Sequence, residues 1–424
     1  MRSLHRSLAL LSAAVAATAC LAACSSGGSG GSSGSSGPVT LTVESWKGGG
    51  AEPANVAQVD AAFEKAYPNI KLSFSYVPPN DVYQEKLQSQ LLAGDAADVI
   101  MVDPQKVQSW GKSGYLTDLS GQSWASEIAA PLKPFVSYQN KIVAAPMELS
   151  PVGLYVNLDI LQKAGITSAP TDFPAFLSDL AKLKAAGLPG YSFPDSQGYM
   201  AEFVMLMSAA TTVYSKTPDW DQQFMQGKVN FPGSFQTPLD QIKQVGNYVN
   251  YQDAVGTDET TTGEPDFIAG KSAFYAGGSW LAEAIEKAKF KLAFIPWPGG
   301  DAGTDPSALM FPGTMWAVNA STAHATAAED YVNFWSQSQH LAPFLSAEAA
   351  ISPFRAAGTG TDPLLATMTS AYATKRFALF PTNSWDLAAP ETSIRSILQG
   401  FLLGKTNVTA TLQAIQSAAA PSGS

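Results

Sequence analysis

Six residues, Asp98-Val-Ile-Met-Val-Asp103, restrict the fold more than any other stretch of the chain. Four apolar residues between two acids are too few for a helix. With no alternation they suit a strand buried on both faces, as a parallel sheet requires. What precedes them agrees. Residues 39–46 and 71–77 alternate apolar and polar side chains, as strands do. Between them, residues 56–67 read as a helix stopped by Pro68-Asn69. Asp81-x-x-Gln84 looks like a capping box. The helix after it carries Tyr83, Leu87 and Leu91 at a spacing of four and stops at Gly94. The order β-α-β-α-β predicts an open α/β sheet. Ligands of such sheets bind beyond the carboxyl ends of the strands, where Trp46 and Asp103 stand.

A second set of elements begins near residue 151. Residues 171–186 predict a helix with Phe173, Leu177, Leu180 and Leu183 on one side and Gly187 as its stop. Residues 291–296 read as a strand. Thr326-x-x-Glu329 predicts a capping box for a helix carrying Tyr331, Val332 and Trp335. Val408, Leu412 and Ile415 form the stripe of a last helix.

The N-terminus is organised differently. Arg2 and Arg6 precede a short apolar core over residues 8–19, the shape of a secretory signal, too short for a comfortable membrane span. Leu21-Ala22-Ala23-Cys24 resembles the lipobox of bacterial lipoproteins, which implies cleavage before Cys24 and a lipid on its sulfur. Cys20, the one other cysteine, has Ala17 rather than Leu three residues before it and fits the pattern less well. Residues 25–37 are only Gly and Ser and cannot form a core. A leash of that length spans roughly 20 Å. Its two matches to G-x-S-x-G, at 27–31 and 30–34, neither follow a strand nor open a helix and carry no catalytic meaning.

Composition narrows the function. The net charge is −10, which argues against nucleic acid as a partner. With three histidines, one of them in the signal, and no Cys/His cluster, a zinc enzyme does not fit. No cofactor is expected.

Several segments match one family. FEKAYPNIKL, YQEKLQSQLLAGDAADVIMVD, APMELSPVGLYVNLDILQKAGI, FIAGKSAFYAGGSW, KLAFIPWPGG, AEDYVNFW, SPFRAAG and NVTATLQAIQ follow in family order over residues 39–418. The chain thus resembles family 1 extracellular solute-binding proteins of ABC importers, the class that takes sugars and oligosaccharides. The resemblance implies a type II periplasmic-binding-protein-like α/β fold, with two lobes around a ligand cleft and hinge. Carried over, residues 1–23 are the signal and 24–38 the anchor and linker. Residues 39–150 and 298–356 make lobe one, and 151–297 and 357–424 lobe two. The crossings fall near 148–153, 296–300 and 355–361. The implied partners are a small sugar or oligosaccharide, the membrane subunits of the permease and, through the lipid, the membrane; the protein is expected to be an extracellular monomer.

A sugar offers hydroxyls to polar side chains and C–H patches to aromatic rings. Among the nine tryptophans, Trp280 matches a family position that stacks on sugar, with Gly277 and Gly278 allowing a tight backbone before it. Trp385 lies near a second such position. Trp46 and Trp316 are further candidates, each with packing as its alternative. Trp110, Trp124, Trp220, Trp297 and Trp335 are expected in core or surface roles. For hydrogen bonds the candidates are Asp103, which also suits a cap before Pro104, and Glu148, which also suits a hinge salt bridge. Asp195, Gln197 and Arg355 complete the set. Two other readings stay open. One is a non-sugar solute such as a phosphodiester, polyamine or metal. The other is a secreted glycosidase using a carboxylate pair such as Glu148 and Asp195.

Overall fold

Strand β1 (Val39–Ser45) and strand β2 (Ile70–Tyr76) run parallel, from Val39 opposite Ile70 to Ser45 opposite Tyr76. Between them helix α1 (Val56–Ala66) buries Val56, Val59 and Phe63. Helix α2 (Asn80–Ala93) puts Tyr83, Leu87 and Leu91 into the core. Just after it Gly94 turns the chain with a φ of 77°, which only glycine adopts without a Cβ penalty. Strand β3 (Val99–Val102) enters parallel to β1 and is buried along its whole length. Helix α3 (Pro104–Lys112) follows at once. The structure is a computed structural model and describes residues 37–47, 55–77, 80–354, 362–381, 385 and 391–419. Cys24 and Arg355 lie outside the described residues, as does the crossing expected near 355–361.

A small hairpin, β4 (Ser137–Tyr138) and β5 (Lys141–Ile142), stands apart. The remaining strands are β6 (Ala145–Pro146), β7 (Leu149–Asn157), β8 (Tyr191–Ser192) and β9 (Phe274–Gly278). After them come β10 (Leu292–Ile295), β11 (Ala308–Pro312), β12 (Met315–Val318) and β13 (Phe377–Leu379). They divide between two sheets. The first has the order β2-β1-β3-β12-β6; the second has the order β13-β11-β7-β9-β8, with β10 also on β7. Strand β7 is the spine of the second sheet: it is buried throughout and pairs with β9, β10 and β11.

The chain leaves the first sheet after β6 and enters the second at β7, so it crosses at Met147-Glu148. It returns between β11 and β12, at Gly313-Thr314. The return expected at 296–300, and the lobe boundary at 298, therefore come too early. The WPGG stretch reads like a connection, but Trp297 is in the second lobe's core, 5.1 Å from the Phe176 ring. Gln241 binds both sides of this turn, accepting from Trp297 Nε1 and donating to the Gly299 carbonyl. The helix Ala325–Trp335 forms, but its N-cap is His324 without a side-chain cap, and Thr326 lies inside it. Glu329 instead accepts from Gln122 at 2.8 Å.

Candidate functional site

At the first lobe's strand ends one phenol ties the layers together. The Tyr83 hydroxyl lies 2.9 Å from the carbonyls of Glu44 and Met101, and it accepts from the Met101 amide at 3.0 Å. Trp46, just past β1, lies with its ring 5.2 Å from Tyr83 and is half-buried. Asp103, just past β3, is the N-cap of α3 and accepts from the Lys106 amide at 3.1 Å. Gln84 donates to its other oxygen at 3.2 Å. The cap therefore fixes the carboxylate, and Trp46 and Asp103 stand together at the strand ends where an open sheet takes its ligand.

The crossing carries a charge cluster. Lys47 Nζ lies 2.9 Å from Glu148 Oε1 and 2.6 Å from Glu348 Oε2. The Glu148 side chain is only 2% exposed. Its Oε1 also accepts from the Thr314 amide at 3.0 Å and hydroxyl at 2.8 Å, joining the outward crossing to the return. Burial works against the Lys47 charge, but Glu148 and Glu348 outweigh it and raise its pKa above the ordinary lysine value. Gly313 is required here, because a Cβ would lie 2.5 Å from Glu148 Oε1. Ser279 of the second lobe donates to the Glu348 carbonyl at 3.3 Å. Lys47, Thr314 and Glu348 carry no sequence signal of this role.

In the second lobe a pocket of about 210 Å³ opens beside the end of β9, with Tyr199, Phe203, Trp280, Leu281, Glu259 and Glu264 in its wall. The Trp280 indole lies directly over Gly278, where a Cβ would come within 2.0 Å of the ring. Phe203 and Phe311 meet the indole edge-on at 6.3 and 6.1 Å. Trp280 is half-buried, like Trp46. Behind the pocket, Asp195 is fully buried and accepts from the Ala201 amide at 3.0 Å in the first turn of the helix Tyr199–Ala209. Burial, aided by the Glu259 charge, pushes its pKa up to about 7. Gln197 is exposed and donates to Asp258 at 3.3 Å.

Two candidate tryptophans face elsewhere. Trp316 is fully buried in β12, inside the first lobe, with Tyr331 and Trp335 at 5.7 and 6.0 Å. It serves that core. Trp385 is buried among Trp220, Phe224 and Phe231, and donates from Nε1 to Asp221 at 2.8 Å. Asp195 is a buried brace for the same physical reason: its carboxyl is covered by its own lobe. Trp110, Trp124, Trp220, Trp297 and Trp335 are buried.

Residues 47–340 match the family of bacterial extracellular solute-binding proteins. The chain belongs to this family. Its relatives include the multiple sugar-binding protein of Streptococcus mutans, 21% identical over 76% of this chain and 77% of that one. The melibiose/raffinose/stachyose-binding protein MelE of Bacillus subtilis is 25% identical over 63% of each. RafE in complex with raffinose shares the fold with a TM-score of 0.74 at 19% identity, covering 89% of this chain and 98% of that one. The apo form of RafE, from Streptococcus pneumoniae, gives 0.73 at 20%, covering 91% and 98%. For this solute-binding protein the two sheets are thus the cores of two lobes, joined by the connections at Met147-Glu148 and Gly313-Thr314.

The Asp195 carboxyl predicts a pH dependence. Native Asp195 keeps its proton to about pH 7, whereas the unfolded chain releases it near about pH 4. Between these values the native state binds more protons, so stability falls as pH rises. Asp60, whose pKa burial raises to about 6, adds to the same slope over the lower part of the window. Asp195→Asn should flatten the slope between about pH 4 and 7 and leave the Asp60 part. Denaturant unfolding at several pH values reads this, and equal slopes in both proteins would overturn it.

Proposed function

We propose that this protein captures a sugar or oligosaccharide between its lobes and delivers it to the membrane subunits of an ABC importer. The observation that carries the reading is the half-buried Trp280 indole on the wall of the second-lobe pocket, in a chain of the solute-binding family. A ring in that position suits the C–H face of a pyranose, and Trp46 with Asp103 offers a ring and a carboxylate from the other lobe. The sugar names of the relatives agree. Closing the lobes on solute would select the state that the importer reads.

The protein acts as a monomer on the outer face of the membrane, held by lipid on Cys24 with the Gly/Ser leash as spacer. Stable anchoring needs more than one acyl chain, since each buried CH₂ contributes about 0.8 kcal/mol. We read the protein as non-catalytic. Glu148 is held by Lys47 and Thr314, and Asp195 is covered, so neither carboxyl is presented to a glycosidic bond.

The test is thermal unfolding of the full chain in mild detergent against a panel of mono- and oligosaccharides. At 100 times Kd the right saccharide should add about 2.7 kcal/mol to stability, with no new products by chromatography. A shift with only a polyamine, phosphodiester or metal would overturn the sugar reading, and turnover would overturn the transport reading.

A further inference from the structure

The chemistry of the second-lobe pocket goes beyond what a neutral sugar needs. Its rings, Tyr199, Phe203 and Trp280, share a wall with two acidic residues, Glu259 and Glu264. Asp258 stands next in the chain, and hydrogen bonds from the Thr261 amide and hydroxyl hold its pKa down at about 2, so it is ionised. The Glu259 carboxylate accepts from the Ser196 hydroxyl at 3.1 Å and the Gln197 amide at 3.2 Å. These donors are neutral and fix the group without cancelling its charge. Among the described residues, no lysine or arginine forms an ion pair with Asp258 or Glu259. The nearby cation, Arg395, pairs with Glu202 at 2.8 Å and covers the Tyr199 ring at 3.8 Å. The field reaches neighbouring groups: after burial, the charges of Glu264, Glu259 and Asp258 raise the Tyr275 phenol. Aromatic faces beside fixed negative charge form a site for a cation on an apolar frame.

We propose, resting on the sugar-binding reading above, that this pocket selects a saccharide bearing a protonated amine, an amino sugar with a free rather than acylated nitrogen. The ring carbons stack on Trp280, and the ammonium group sits toward Glu259 and Glu264. Acylation of the nitrogen removes the charge and the preference with it. An anionic saccharide is repelled.

The test is calorimetric titration of the full chain in mild detergent with three β-1,4 disaccharides: diglucosamine, its N,N′-diacetyl form and cellobiose. At about pH 6, where the amines are protonated, diglucosamine should bind about tenfold or more tightly than the other two. The advantage should shrink at about pH 9.5 and at high salt. Glu259→Gln should remove most of the advantage, weakening diglucosamine several-fold more than cellobiose, with circular dichroism checking that the variant folds. Equal binding of all three, or a Glu259→Gln loss of equal size for diglucosamine and cellobiose, overturns the amine preference while the sugar reading stands. If none of the three binds but other neutral sugars do, the amine preference again fails alone. If no carbohydrate binds at all, both fail.

Discussion

Lys47→Met is expected to lower the unfolding free energy by about 3–5 kcal/mol, the cost of leaving buried charge unpaired. The ammonium group bridges Glu148, whose side chain is 2% exposed, and Glu348, at 10%. Without it two carboxylates face each other in a space shaped for three charges. The effect should appear as a lower denaturant midpoint at unchanged slope. Adding Glu148→Gln and Glu348→Gln should recover most of the loss, because the triple variant has no charge left to strand. A single variant within about 1 kcal/mol of the parent, the range of an exposed pair, would show that the ammonium does not hold the crossing.

Trp280→Ala should weaken saccharide binding by about 2 kcal/mol or more, roughly thirtyfold in Kd, as a central aromatic contact does. Its stability cost should be smaller than that of a fully buried tryptophan, because the indole is only half-buried. Trp385→Ala is the matched control. That ring is packed on Trp220, Phe224 and Phe231, so its loss should cost about 3–5 kcal/mol of stability and leave the Kd of the folded fraction unchanged. Titration and denaturant unfolding of both variants separate the roles. Equal Kd values for parent and Trp280→Ala would remove the indole from the site.

Which parts of this architecture are legible in the sequence follows from the range of the forces involved. The first sheet begins as a local pattern: four apolar residues at 99–102 demand burial on both faces, and α2 announces itself through Tyr83, Leu87 and Leu91. The cap at Thr326 fails because the helix begins one residue before it, at Ala325, and Glu329 is engaged by Gln122 from 207 residues away. The lobe return is misplaced because Trp297 and Gly299 look like a connector until Gln241 is seen to hold both. Trp316 and Trp280 are the same letter near a glycine. One is covered because its strand lies between β3 and β6, and the other stays only half-buried because Gly278 lets it fold back over the chain. The Lys47 cluster joins positions 101 and 301 residues apart, and no local pattern can report that.

The strand order has a consequence for how the chain acquires its structure. The first sheet is not complete until β12, at Met315–Val318, inserts between β3 and β6. The second is not complete until β13, at Phe377–Leu379, adds to β11. For a chain emerging N-terminus first, neither lobe can finish while the other waits, and both sheets spend most of synthesis with an open edge. Pairings of such long sequence separation place folding at the slow end, on the order of milliseconds to seconds or beyond. Unpaired edges in the meantime invite association with other chains. The interleaving of the two sheets thus leaves the half-made protein exposed to association until its last strands are made.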